Sequence, residues 1–217
     1  TSWQGFSCDD DSSLVDFLVG PVSERLHDST AAVDFEEDLR ALATTQFASD
    51  NLELVLQASV PEERDWAIGE SLAEAFLEYE HSVSWPWNHE RDKRNPFASL
   101  PGADLVGFVV DGGVTRLALG EVKASTDTNN PPGVMNGRSG MRHQLEQLAT
   151  NLETLCQLLK WLHPRCKGTG NEQPFKDAVR LLIDSGNQAI SLYGVLIRDT
   201  PPTSLDLEAR GDALAKT

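Results

Sequence analysis

Three charged side chains in this sequence have the types and spacing to do chemistry together. Glu121 and Lys123 end the apolar run RLALGEVKAS, two residues apart. On a β-strand, where side chains alternate faces, they point the same way. Asp104 opens a second apolar run, DLVGFVV, 17 positions before Glu121, and Asp111-Gly112-Gly113 between the runs is a hairpin signal. With a loop at Gly112-Gly113, Asp104 stands directly opposite Glu121. With a loop at Asp111-Gly112, it faces Leu119 and Glu121 is its diagonal neighbour. Either register clusters Asp104, Glu121 and Lys123 on one face, whereas a three-residue loop with a bulge would separate them. Two carboxylates that close repel unless a proton or a cation lies between them. A hard divalent cation takes a few carboxylate oxygens plus waters. A lysine beside it orients an attacking water or steadies a phosphate oxyanion. The chemistry these types suit is metal-assisted hydrolysis of a phosphodiester. The plain alternative is a surface salt bridge between Glu121 and Lys123, with Asp104 only starting its strand.

Positioning these groups requires a sheet and the helices that cover it. Pro61 and the acidic residues after it predict a helix N-terminus in PEERDWAIGESLAEAFLEYE. Trp66, Ala73, Phe76 and Leu77 recur at helical spacing and are expected to face a core. Gly69, costly inside a helix, predicts a close packing contact. After the hairpin comes a long polar loop, STDTNNPPGVMNGRSGM. The sequence RHQLEQLATNLETLCQLLKWLH then predicts one long amphipathic helix ended by Pro164, with a leucine stripe at residues 145, 148, 152, 155, 159 and 162. PFKDAVRLLIDSG predicts a shorter helix closed by Gly186, QAISLYGVLIRD a further strand, and the tail a final helical turn or two. This order predicts a mixed α/β fold around a central sheet.

The whole chain has 217 residues and a net charge of −16, which suits one domain with a loosely organised, acidic, helical extension over residues 1–60. That charge argues against gripping nucleic acid through a broad basic face. Any such activity must use local basic loops, a bound metal or a partner. No run approaches a membrane span, no leader pattern opens the chain, and three unpaired cysteines point to a reduced, cytoplasmic setting.

Asp104 followed by Glu121-Val122-Lys123 resembles the PD-(D/E)XK nuclease superfamily, and the likeness spans roughly residues 62–200. It implies a restriction-endonuclease-like mixed sheet flanked by helices, in a core over residues 61–217, with HSVSW as the candidate for the strand preceding the Asp104 strand. It implies that Asp104, Glu121 and the Val122 carbonyl hold Mg²⁺, for which Mn²⁺ can substitute, while Lys123 orients the nucleophilic water. Glu70 on the first helix is a further expected ligand, with Glu74 the alternative, and Arg142, His143 or Gln144 is expected to act at the start of the next helix. The implied activity is cleavage of DNA. The acidic charge adds the expectation of a shared DNA grip, through a homo-oligomer or a helicase or ATPase partner in a bacterial phage-defence system. The alternative is a catalytically silent nuclease-fold module.

Other residues invite roles. Arg91, Lys93 and Arg94, with Trp85 and Trp87 nearby, form the densest basic and aromatic patch and would contact phosphates or stack bases. Arg138 and Arg142 flank the loop after Lys123 and would contact substrate. Cys156, His163 and Cys166 match no structural zinc spacing and read as core and helix-end residues. No Ser-His-Asp arrangement, P-loop or dinucleotide fingerprint is present.

Overall fold

Gly112 and Gly113 have φ of +58° and +79°, the left-handed pair that a two-residue hairpin turn demands. They join β2 (Leu105–Asp111) to β3 (Val114–Ser125), with Asp111 paired to Val114 and Leu105 to Gly120. This is the register that sets Asp104 opposite Glu121. A short strand in HSVSW, β1 (Val83–Ser84), adds antiparallel to β2, and β4 (Ile190–Arg198) adds parallel to β3. The sheet is mixed, in the order β1-β2-β3-β4. The computed structural model describes residues 2–58, 65–88 and 102–214.

Alternation along the strands divides the core in two. Val106, Phe108, Leu117 and Leu119 point to one face. There they meet α6 (Met141–Thr150), α7 (Leu152–Cys166) and α8 (Glu172–Asp184). Leu105, Val109, Ala118 and Val122 point to the other, against Ala73 and Leu77 of α5 (Asp65–His81). Helices therefore cover both faces, as a largely apolar central strand requires.

Ahead of α5 lie α1 (Asp11–Phe17), a π-helical turn at Leu18–Val22 that absorbs Pro21, α2 (Ser23–His27), α3 (Ser29–Leu42) and α4 (Gln46–Gln57). A 3-10 turn at Ser204–Asp206 and α9 (Glu208–Leu214) follow β4.

Several expectations need correcting. The single long helix is two, because Asn151 leaves helical geometry (φ −91°, ψ 100°) and its Oδ1 accepts from the Glu153 and Thr154 N–H groups as an N-cap. Leu152 consequently leaves the leucine stripe and is exposed. Pro164 sits inside α7, which runs on to Cys166. Gly69 has no tight neighbour: a Cβ there would lie 3.8 Å from Ile197 Cδ1, an ordinary contact. Trp66 is 38 % exposed rather than core. Pro61 and the acidic residues before Asp65 lie outside the described residues.

Candidate active site

β3 runs beyond the start of β2, so its last residues pair with β4 on one side and meet Asp104 on the other. The Asp104 N–H donates to the Gly120 carbonyl at 3.0 Å, and Asp104 Oδ2 accepts from the Val122 N–H at 2.9 Å. These two bonds fix the aspartate across from Glu121. Because N–H and C=O of one strand residue point to the same side, the Val122 carbonyl also faces the β2 side, where Asp104 sits.

Glu121 is buried, with 2 % exposure, and Lys123 Nζ lies 2.5 Å from its Oε1. Glu121 and Asp104 are also close enough to share a hydrogen bond. Burial first, and then the Asp104 charge, push the Glu121 carboxyl up to about 7, while Lys123 offsets part of that rise. Two acids and one base share this pocket, and burial is the largest cause of the rise.

The helix on this face comes close because β4 has no side chain where it would obstruct. Gly194 pairs with Glu121, and a Cβ on it would lie 2.9 Å from both Leu145 Cδ1 and Met141 Sδ of α6. The first turn of α6 therefore covers the strand beside Glu121. Gln144 lies in that turn, and its Oε1 is buried without a hydrogen-bond partner among the described residues. Arg142 is held by Glu146, Nε to Oε1 at 2.8 Å, and both line a cleft of about 270 Å³ with Met135, Asn136, Gly137 and His143. Arg138 is exposed on the preceding loop.

The structure does not bring Glu70 to the pair. It lines a second cleft, of about 290 Å³, with Trp66, Gly69, Val122 and Ala124. Val122 and Ala124 point away from the face that carries Glu121 and Lys123, so α5 presents Glu70 behind the strand. Glu74 is no substitute, because it is fully buried and paired to Arg25 at 2.7 Å. Among the described residues no group of three or more His, Cys, Asp and Glu side chains is placed to hold a metal. The donor set at the end of β3 is two carboxylates and a backbone carbonyl.

The tryptophans of the basic patch are structural. Trp87 is fully buried, donates from Nε1 to the Val106 carbonyl at 2.9 Å and packs edge-on against Trp161. Trp85 donates from Nε1 to the Glu74 carbonyl at 3.1 Å. Arg91, Lys93 and Arg94 lie outside the described residues. Cys156 is exposed, contrary to the core reading, and Cys166 is buried, which pushes its thiol up to about 11 and keeps it neutral. His163 packs on the Phe175 ring.

One residue that sequence reasoning missed shapes the rim. Arg198, at the end of β4, bonds Asp206 Oδ1 at 2.5 Å, Asn130 Oδ1 at 2.7 Å and the Asp127 carbonyl. It ties the loop after Lys123 to the neighbouring strand. The only sequence signal was an arginine ending an apolar strand, the same kind of break that drew attention to Glu121 and Lys123.

Compared with known protein families, curated proteins and solved structures, the chain matches none. No helix among the described residues is long and apolar enough to cross a membrane.

Proposed function

We propose that this chain is a metal-dependent nuclease of PD-(D/E)XK type that hydrolyses DNA phosphodiester bonds. The observation that carries the reading is the register placing Asp104 opposite Glu121, with Lys123 on the same face. The donor set fits a hard divalent cation. Asp104 uses Oδ2 on Val122 and Glu121 is bonded through Oε1, so each carboxylate has a second oxygen that a ligand could take. Burial and then the Asp104 charge raise the Glu121 carboxyl, and a bound cation would relieve the second of these.

Asp104, Glu121 and the Val122 carbonyl would hold Mg²⁺ or Mn²⁺. When bound, that ion polarises the scissile phosphate and lowers the pKa of a coordinated water. The chain's own groups do the rest. Val122 holds Asp104 in one orientation. Lys123, two residues outward from Glu121 and more exposed than it, holds its ammonium against Glu121 Oε1. From there it orients the attacking water and donates to a phosphate oxygen. Gln144 would supply a polar group on the facing helix, and Arg138 and Arg142 would contact the substrate backbone. Glu70 has no place among the ligands in this arrangement.

The test is cleavage of plasmid DNA with Mg²⁺ or Mn²⁺, with the chain alone and with helicase or ATPase partners encoded beside it. Glu121→Ala and Lys123→Ala should abolish cleavage while the protein stays folded. Identical behaviour of wild type and both variants under every metal and partner would leave the silent-module reading in place. A shared DNA grip, cytoplasmic action and a role in phage defence belong to the same proposal.

A further inference from the structure

β4 is the last strand of the sheet, and no strand among the described residues pairs with its outer side. It buries none of its nine residues, whereas β3 beside it buries six. The register shows which backbone groups face outward. Val122 turns its N–H to Asp104 on the β2 side, so Glu121 turns its own backbone groups to β4. Glu121 stands level with Gly194 in a parallel ladder, and it therefore bonds the flanking Tyr193 and Val195. Leu192, Gly194 and Leu196 direct their N–H and C=O groups to the outer edge, where none of them bonds another element among the described residues. Gly194 is exposed although a Cβ on it would run into Met141 and Leu145, so what is exposed is its backbone at that edge. Leu192 is 38 % exposed.

An open edge accepts a further strand unless a proline, a lysine or a bulge blocks it. The ladder of β4 is unbroken from Ile190 to Arg198 and holds neither proline nor lysine. Charge and symmetry select the strand that adds. Ser185 to Ile197 is the longest run without a charged residue in a chain of net charge −16, so a second copy can approach here without bringing acid against acid. With a two-fold axis at Gly194, antiparallel pairing sets Gly194 against its own copy, Leu192 against Leu196 and Ile190 against Arg198. Each outward backbone group then has a partner, and Asp199, the first acid after the strand, stands opposite Ala189. We infer that two copies of this chain pair through β4 into one continuous sheet. The inference rests on the open edge and its charge and stands whether or not the chain is a nuclease. Because such an axis is perpendicular to the sheet, both Glu121 side chains would lie on one face of it.

The test is sedimentation equilibrium of the full chain over a range of concentrations, with circular dichroism to check that each variant is folded. The wild type should form a dimer. Leu192→Lys puts a charge on the open edge and should raise the dimer dissociation constant by about tenfold or more, the size of a lost apolar anchor. The control Leu54→Lys, at an exposed leucine of α4, should leave association unchanged. Cross-linking reads the register. In a C8S/C156S background, which removes the two exposed thiols, L192C mixed with L196C should form a disulfide on mild oxidation. Neither should cross-link alone, because each of these positions stands more than about 13 Å from its own copy, beyond the reach of a disulfide. A wild type that stays monomeric, equal loss of the dimer in L54K, a dimer indifferent to L192K, or L192C cross-linking to itself as readily as to L196C would each overturn the inference.

Discussion

Replacing Glu121 with glutamine separates two accounts of the strand end, because they predict stability changes of opposite sign. If Glu121 were one half of a private salt bridge, the variant would lose that bridge at neutral pH and be destabilised. The raised Glu121 carboxyl predicts the reverse. A shift from 4.5 to about 7 means that the fold favours the neutral form. At about 1.4 kcal/mol per pH unit this corresponds to about 3 kcal/mol, trimmed to about 2 by the water that reaches partly exposed Lys123. The stability that comes from a neutral Glu121 is fully present below pH 4.5 and is lost as pH rises through 7. Glutamine does not ionise. In metal-free buffer, Glu121→Gln should therefore match the wild type near pH 4.5 and exceed it by about 2 kcal/mol at pH 8.

Urea denaturation at pH 4.5, 6, 7 and 8 in chelator measures this directly. A variant less stable than wild type at pH 8 would refute the reasoning and restore the salt bridge. Divalent cation supplies the second half of the test. At pH 8, Mg²⁺ or Mn²⁺ should stabilise the wild type, by about 2.7 kcal/mol when its concentration is 100 times its dissociation constant, and should not stabilise Glu121→Gln. The gain should shrink at pH 5.5, where the ion must displace a proton. A wild type indifferent to both metals at pH 8 would refute the metal reading and leave the pH curve standing.

Three further outcomes follow from single contacts. Arg25→Met strands the fully buried Glu74 without its cation and should cost about 3 kcal/mol in urea denaturation, most of it recovered in R25M/E74Q. Gly194→Ala places a methyl 2.9 Å from Leu145 and Met141, so it should cost about 1–3 kcal/mol by thermal melting and reduce cleavage through displacement of α6 from Glu121. Arg198→Ala removes the bonds to Asp127, Asn130 and Asp206; limited proteolysis should then cut within residues 126–132, at a stability cost of about 2 kcal/mol.

The hairpin was legible because its information is local. Two glycines in sequence specify a two-residue turn, the turn specifies the register, and the register places Asp104 opposite Glu121. The side of the sheet on which a helix lies is not local. Periodicity in residues 65–81 shows which face of α5 is apolar, but not that this face meets Val122 rather than Glu121. Glu70 was therefore assigned to the carboxylate pair although it lies behind the strand. The tryptophans mislead for a related reason. Beside Arg91, Lys93 and Arg94 they read as a stacking surface, yet Trp87 belongs to the core through a bond to Val106, 19 residues away. The Asn151 break was hidden by the leucines on either side of it, which keep helical spacing across a residue that caps a new helix. Arg25 was invisible because its partner Glu74 lies 49 residues off.

The net charge of −16 carries less weight against DNA than its size suggests, because it is unevenly placed. Residues 1–60 hold 12 of the 34 acidic residues and 2 of the 18 Lys and Arg, a net −10, which leaves −6 for the other 157 residues. Exposed charges are screened over about 8 Å at physiological salt, so acidic residues farther than that from the end of β3 would exert little force on a phosphate there. The local balance matters more. With both carboxyls ionised, Asp104, Glu121 and Lys123 sum to −1; one divalent cation turns this to +1. On the proposed reading, attraction of a phosphate and activation of the water would depend on the same ion.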